Sequence, residues 1–276
     1  MTDAPRSRIE IPELRFPEGP RWHDGALWFS DQIGNAVRRL EPDGTVQVIA
    51  ELPNPSGLGF LPDGSPLAAS MRTCLLSLIR PDGSTETFAE LGSFGVALND
   101  MFVDGEGRAY VDVYGDDRET GDLLLVTDGS VRVAARGLRY PNGIAVTPDG
   151  STLLVAETFG ARITAFDVAA DGSLANRRVW AQLPGRAPDG LCLDTAGAVW
   201  VASYLTGEFL RVGSDREVTD VLTVPGRWAM ACALGGANNT TLYLCSADTD
   251  RRRYFAGDAV GYLERVDVAV AGVGRP

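Results

Sequence analysis

One pattern returns six times along these 276 residues and leaves few folds open. In its fullest copy, Tyr140-Pro-Asn-Gly-Ile-Ala-Val-Thr-Pro-Asp-Gly150 runs into Thr152-Leu-Leu-Val-Ala156 and then Glu157. A β-rich run, a Pro-Asp-Gly turn and a second β-rich run make a hairpin. Further copies begin at Glu18-Gly-Pro-Arg-Trp22, Ser56-Gly-Leu-Gly-Phe60, Asn99-Asp-Met-Phe-Val103 and Asp189-Gly-Leu-Cys-Leu193, each followed by a Gly-containing turn and an apolar run. A degenerate sixth is Met230-Ala-Cys-Ala-Leu234, a turn, and Thr241-Leu-Tyr-Leu244.

The heads of these copies, residues 18, 56, 99, 142, 189 and 230, are spaced by 38, 43, 43, 47 and 41 residues. That is the period of a four-stranded propeller blade; solenoid repeats are shorter, and a sandwich has no such period. Each unit holds two later strand-like runs, such as Ala161-Arg-Ile-Thr-Ala-Phe166 and Arg178-Val-Trp-Ala-Gln-Leu183. The expectation is an all-β, six-bladed propeller of four-stranded antiparallel blades, one domain over residues 1–276. Arg8-Ile-Glu-Ile-Pro-Glu-Leu14 alternates apolar and polar residues ahead of the first head, so it is expected to close the ring as a strand beside Val260–Val268, hiding a free sheet edge.

Composition narrows the partners. A net charge of −12 disfavours nucleic acid and anionic membrane. The start, Met1-Thr-Asp-Ala-Pro-Arg-Ser-Arg8, lacks the apolar core of a leader, and no run has membrane-spanning length, so a cytoplasmic location is expected. Cys74, Cys192, Cys232 and Cys245 form no CxxC pair and read as buried free thiols. Nothing in the pattern specifies an oligomeric state.

In a propeller the first strand of each blade lines the axis, so the heads Glu18, Ser56, Asn99, Asn142, Asp189 and Met230 converge although they are distant in the chain. Two carboxylates and two carboxamides facing one cavity make an all-oxygen site suited to a hard cation. Asn or Asp before Gly also has a purely structural reading as a turn residue. Recurrence at one repeat position in four of six units favours a shared role instead.

The 25 basic residues are all Arg, which removes Lys chemistry, and the single His, His23, falls in the first expected turn. Ser-His-Asp and Cys-His mechanisms are therefore excluded. Any hydrolysis has to run on metal and carboxylate.

Phe16-Pro-Glu-Gly-Pro20, Leu98-Asn-Asp100, the 140–150 motif, Val155-Ala-Glu-Thr158 and Ala187-Pro-Asp-Gly190 together resemble the senescence marker protein, gluconolactonase and luciferin-regenerating enzyme family over essentially the whole chain. The resemblance implies a six-bladed propeller with one divalent cation in its channel that hydrolyses a lactone or related cyclic or aryl ester. It places metal ligands at Glu18, Asn142 and Asp189 and a substrate-contacting residue at Asn99. An acidic substrate contact falls on Asp117. The Arg that sugar-lactone members carry two residues before the Asn is Ala97 here, a departure that touches the substrate and leaves the metal set intact.

The expected chemistry has the cation polarising the carbonyl, Asp189 as general base and Asn99 orienting a small-molecule lactone or ester. Calcium is the first choice of ion, with magnesium, manganese or zinc as substitutes. Arg72, Tyr114 to Asp117, Phe159, Tyr204-Leu205 and Arg227-Trp228 are expected at the channel mouth. Two rival readings use the same blades: a channel-metal lyase or isomerase on a carbonyl substrate, and a non-catalytic binding scaffold with a structural ion.

Overall fold

The computed structural model describes residues 7–117 and 119–274. Residues 1–6, 118, 275 and 276 of the expected domain lie outside them, as does most of the Met1–Arg8 segment. The described chain forms six four-stranded antiparallel sheets set around one axis. In blades 1 to 5 the strands run outward in chain order. Their innermost strands are Pro17–His23, Pro55–Phe60, Ala97–Val103, Pro141–Val146 and Pro188–Leu193. Blade 6 starts at Trp228–Gly235, continues through Thr241–Asp248 and Val260–Asp267, and ends with Arg8–Leu14 at the rim. The N-terminal strand thus closes the ring, pairing antiparallel with Val260–Asp267.

Burial follows the radius. Pro55–Phe60 and Pro141–Val146 are buried at every position, whereas the rim strand Val218–Thr223 is almost wholly exposed. Four innermost strands begin with proline, whose missing N–H costs nothing at a first strand position. The core is divided among the six blade junctions. Leu76, Leu91, Met101 and Val111 fill the one between blades 2 and 3, and Leu154, Ile163, Val201 and Leu210 the one between blades 4 and 5. Buried apolar area between sheets, rather than within any single sheet, is what holds the ring closed.

The first turn is narrower than the sequence suggested. Asp24 and Gly25, at φ of 50° and 77°, make a two-residue hairpin turn, and His23 belongs to the strand before it, paired with Ala26. Its ring is half-buried, stacked on Phe60 at 3.7 Å between centroids, and burial holds its pKa below the usual value. Among the described residues no disulfide joins the four cysteines: Cys74, Cys232 and Cys245 are buried and Cys192 is half-buried. Among the described residues no helix is long and apolar enough to cross a membrane.

Candidate functional site on the channel axis

Each innermost strand breaks register with its neighbour just after it begins. In blade 3, Asn99 and Asp100 together face the single residue Asp112; in blade 4, Asn142 and Gly143 face Ala156; in blade 5, Asp189 and Gly190 face Ala202. Two residues against one is a β-bulge, which bends the strand and re-aims its side chains. The heads are therefore bulge residues, or in the case of Glu18 the residue just before the bulge, and the recurrence of the motif is the recurrence of that device.

The Gly after a head is there for space. A Cβ on Gly143 would sit 2.5 Å from the Asp189 carbonyl oxygen and 2.6 Å from the Leu191 nitrogen; one on Gly190 would sit 2.5 Å from the Ala231 Cβ. Neighbouring innermost strands approach through these glycines, which draws Asn142 and Asp189 toward each other. The Asn-Gly and Asp-Gly pairs are thus packing features of the channel rather than turns.

Glu18, Asn99, Asn142 and Asp189 are buried at the same end of the innermost strands of blades 1, 3, 4 and 5, with exposures of 9, 7, 5 and 7%. Their charges act on one another. Burial, then the charges of Glu18 and Asp100, pushes the Asp189 carboxyl well above the usual range, while the Gly190 N–H and the Asn142 carboxamide pull it down in part. Burial and Asp100 push Glu18 up to about 8. Among the described residues no hydrogen-bond donor reaches Asp189 Oδ1. A buried carboxylate oxygen without a donor is costly unless a cation or a proton compensates.

Three supporting features escaped the sequence reading. Arg21, at the third position after Glu18, donates from Nη2 to Asp100 Oδ1 at 2.8 Å and to the Met101 carbonyl at 2.6 Å, and both partners of the ion pair are buried. Asp112, fully buried, accepts the freed bulge N–H groups of Asn99 and Asp100 at 2.7 and 3.1 Å. Third, a hydrogen-bond chain crosses four blades. Tyr254 Oη donates to Gln32 Oε1 at 2.6 Å, Gln32 Nε2 to Ser56 Oγ at 3.5 Å, and Ser56 Oγ to Asn99 Oδ1 at 2.9 Å. The chain engages the oxygen end of Asn99. Tyr254 comes from the short helix Arg251–Phe255, begun by Asp250, whose carboxylate accepts from the Arg252 and Arg253 N–H groups. Only the Asp before the helix signalled this in sequence.

Asp117 stands apart from the other expected residues. It is exposed, and its carboxylate accepts from the Glu119 and Thr120 N–H groups and from Thr120 Oγ1, closing its own loop. Ala97 is buried in the innermost strand of the same blade. Around the mouth, Tyr114, Tyr140 and Phe159 stack in series, with centroids 4.2 and 4.6 Å apart. Tyr204, Trp228, Tyr254 and Phe16 form a second group. At the far end an apolar cavity of about 40 Å³, lined by Trp22, Phe102, Ile144, Leu193, Leu234 and Val273, underlies the channel.

Among the described residues no three Asp, Glu, His or Cys side chains group as a metal cluster. A divalent cation would accordingly need the Asn142 carboxamide oxygen beside Glu18 and Asp189. The donor set fits one: all are oxygens, one carboxylate oxygen is unpartnered, and the two acids repel each other without a counter-charge.

Fold and site together define a six-bladed propeller with an acidic, oxygen-lined pocket at one mouth of its axis. The chain belongs to the SMP-30/Gluconolactonase/LRE-like family, whose model matches residues 16–248. It is 27% identical over 279 aligned residues to the pentonolactonase XacC of Haloferax volcanii, covering 96% of this chain and 95% of that one. To the 6-deoxy-6-sulfogluconolactonase of Pseudomonas putida it is 29% identical, covering 91 and 89%. A solved structure from Agrobacterium tumefaciens, named as a calcium-binding protein, regucalcin, superposes with a TM-score of 0.83 at 26% identity, over 99% of this chain and 96% of that one.

Proposed function

We propose that this protein hydrolyses a lactone or related cyclic or aryl ester, with a divalent cation held by Glu18, Asn142 and Asp189, calcium being the ion the hard-oxygen set favours. The observation that carries this reading is the buried, donor-less Oδ1 of Asp189 facing Glu18 in a family whose relatives are named lactonases. When bound, the cation supplies positive charge that keeps both acids ionised and polarises an ester carbonyl.

The chain's own residues do the rest. Asp189 takes a proton from water as the water oxygen bonds to the carbonyl carbon. Asn99, its oxygen end engaged by Ser56, donates from Nδ2 to the carbonyl oxygen as negative charge gathers there. When the tetrahedral carbon collapses, the ring C–O bond breaks and Asp189 returns the proton to the departing oxygen. The product is an open hydroxy acid.

The test is hydrolysis of γ- and δ-lactones and aryl esters by wild type and Asp189→Asn, after chelation and with each cation restored, in water enriched in oxygen-18. Hydrolysis predicts turnover that needs metal and Asp189 and puts the label in the carboxylate. Turnover without label would point to a lyase or isomerase, and tight metal binding without turnover to a scaffold.

A further inference from the structure

Two of the relatives are named as lactonases of sugar-derived acids, but the mouth of this channel offers little to a sugar. The carboxylate of Asp117 is spent on its own loop, and Ala97 offers a methyl group. On the mouth side, aromatic rings lie near Asp189: the Tyr204 N–H bonds the Ala187 carbonyl two residues before it, and Tyr140 stands two residues before Asn142. Tyr114, Tyr140, Tyr204 and Tyr254 all lie close enough to Asp189 for its charge to act on their hydroxyls. They belong to two aromatic groups. On blades 3 and 4, Tyr114, Tyr140 and Phe159 form one wall; on blades 5 and 6, Tyr204 packs edge-on against Trp228 at 5.4 Å, and Trp228 lies 6.0 Å from Tyr254.

Tyr140 is held in this wall at some cost. Its φ of 56° lies in the left-handed region, which a bulky residue rarely adopts. Its neighbours Tyr114 and Phe159 stack on it from either side, and the Thr158 N–H bonds its carbonyl at 3.0 Å. Of the wall hydroxyls, that of Tyr254 is engaged by Gln32 at 2.6 Å, and that of Tyr114 is buried. With Tyr140 covered by its two neighbours, the ring surface left to a guest is that of Phe159 at the rim and of Tyr204 and Trp228 opposite.

The surrounding rim agrees. Phe94, Val96, Phe159, Leu205 and Phe255, at 37, 37, 44, 64 and 58% exposure, all come from connections between strands on the same face as Asp189. Exposed apolar groups gathered about a polar centre mark a ligand-binding mouth.

We infer that the two aromatic walls select a lactone carrying a flat apolar or aromatic ring, as in a benzo-fused δ-lactone, over a polyhydroxylated sugar lactone, with Tyr204, Trp228 and Phe159 as the specificity residues and Tyr140 as the ring that backs Phe159. This inference rests on the hydrolase reading above for its reaction and on the walls alone for its selectivity. A fused ring slides between the walls with its carbonyl toward Asn99 and Asp189. The hydroxyls of an aldonolactone would instead be stripped of water against ring faces.

The test compares kcat/KM for 3,4-dihydrocoumarin, δ-valerolactone and glucono-δ-lactone in wild type, Tyr204→Ala and Phe159→Ala; Phe159 is exposed enough that its loss leaves the blades intact, which thermal melts verify. Wild type is expected to favour dihydrocoumarin over gluconolactone by at least about tenfold, the worth of one or two good ring contacts. Both variants are expected to lower the ratio of dihydrocoumarin to valerolactone about fivefold or more, chiefly through KM. Equal or better turnover of gluconolactone by wild type, or ratios unmoved in both variants, would overturn the inference.

Should no lactone be turned over, the hydrolase reading falls and the walls are tested by binding. The unreactive lactam 3,4-dihydro-2-quinolinone, titrated by calorimetry, supports them if wild type binds it at least fivefold more tightly than Tyr204→Ala. Equal binding, or none, rejects them.

Discussion

The Arg21 guanidinium lies 2.8 Å from Asp100 Oδ1 beneath the channel pocket, and both partners are buried. The pair joins blade 1 to blade 3 across the axis. It also leaves Asp100 close enough to Glu18 and Asp189 to raise both their pKa values, with Arg21 acting in the opposite sense on Glu18. The acidity of the pocket is therefore set from below as well as by its own two acids.

Breaking that pair from one side should be worse than removing it. Arg21→Met is expected to destabilise by about 3–5 kcal/mol because Asp100 is left buried and unpaired, whereas Arg21→Met with Asp100→Asn should recover much of the loss. Urea denaturation of the three proteins measures this. A single variant as stable as wild type would show that the ion pair does not hold the blades.

The pH dependence of the metal-free protein follows from Glu18. Its folded carboxyl is pushed from the usual 4.5 up to about 8, first by burial and then by Asp100. The folded state thus holds a proton that the unfolded chain releases above about 4.5. Its contribution to stability is complete below that pH and lost as pH rises through about 8. Chelated protein should melt at progressively lower temperature from pH 5 to pH 9. Calcium at saturating concentration should restore stability most at the alkaline end, by mass action on the folded state. A melting temperature that rises over this range after verified metal loss would contradict the assignment.

The chain from Tyr254 through Gln32 and Ser56 to Asn99 predicts an effect on rate by residues that touch no substrate. Ser56→Ala removes the donor to Asn99 Oδ1 and frees the carboxamide to turn. On the best lactone found, kcat is expected to fall about tenfold with little change in KM, the loss typical of one misdirected oxyanion donor at its lower end. Gln32→Ala should do the same more weakly, since its bond to Ser56 is the long one at 3.5 Å. A change confined to KM would assign the chain to ground-state binding instead.

Gly143→Ala tests the close approach of blades 4 and 5. Its new methyl group would lie 2.5 Å from the Asp189 carbonyl oxygen, so the strands must part. Destabilisation of about 1–3 kcal/mol, the range for overpacking, is expected with a larger fall in activity than in stability, because the strand displaced carries Asp189. Thermal melts and turnover of one variant decide it.

Much of the architecture was legible in the chain because a propeller is a repeat. The hairpin motif marks each blade, its period fixes the strand number, and the alternation in Arg8–Leu14 reveals the closing strand. The heads could be placed on the axis by the same logic, since equivalent positions in equivalent blades face the same way. Asp117 was placed by the family resemblance in a loop where no repeat holds, and it lies exposed with its carboxylate turned on its own loop.

What local pattern could not contain was anything made between blades. The Arg21–Asp100 pair spans 79 positions and the Tyr254–Gln32 bond 222, and no periodicity within a blade signals either. The bulges belong to pairing with the second strand, and the need for Gly143 arises only where another blade's backbone comes within contact distance. The sequence by itself determined the blades and their polar heads, because these depend on short-range alternation and turn chemistry. Ring closure decided which charges meet, which donors are left without partners and which aromatic rings face one another, because those depend on distances between segments that only the closed ring brings together.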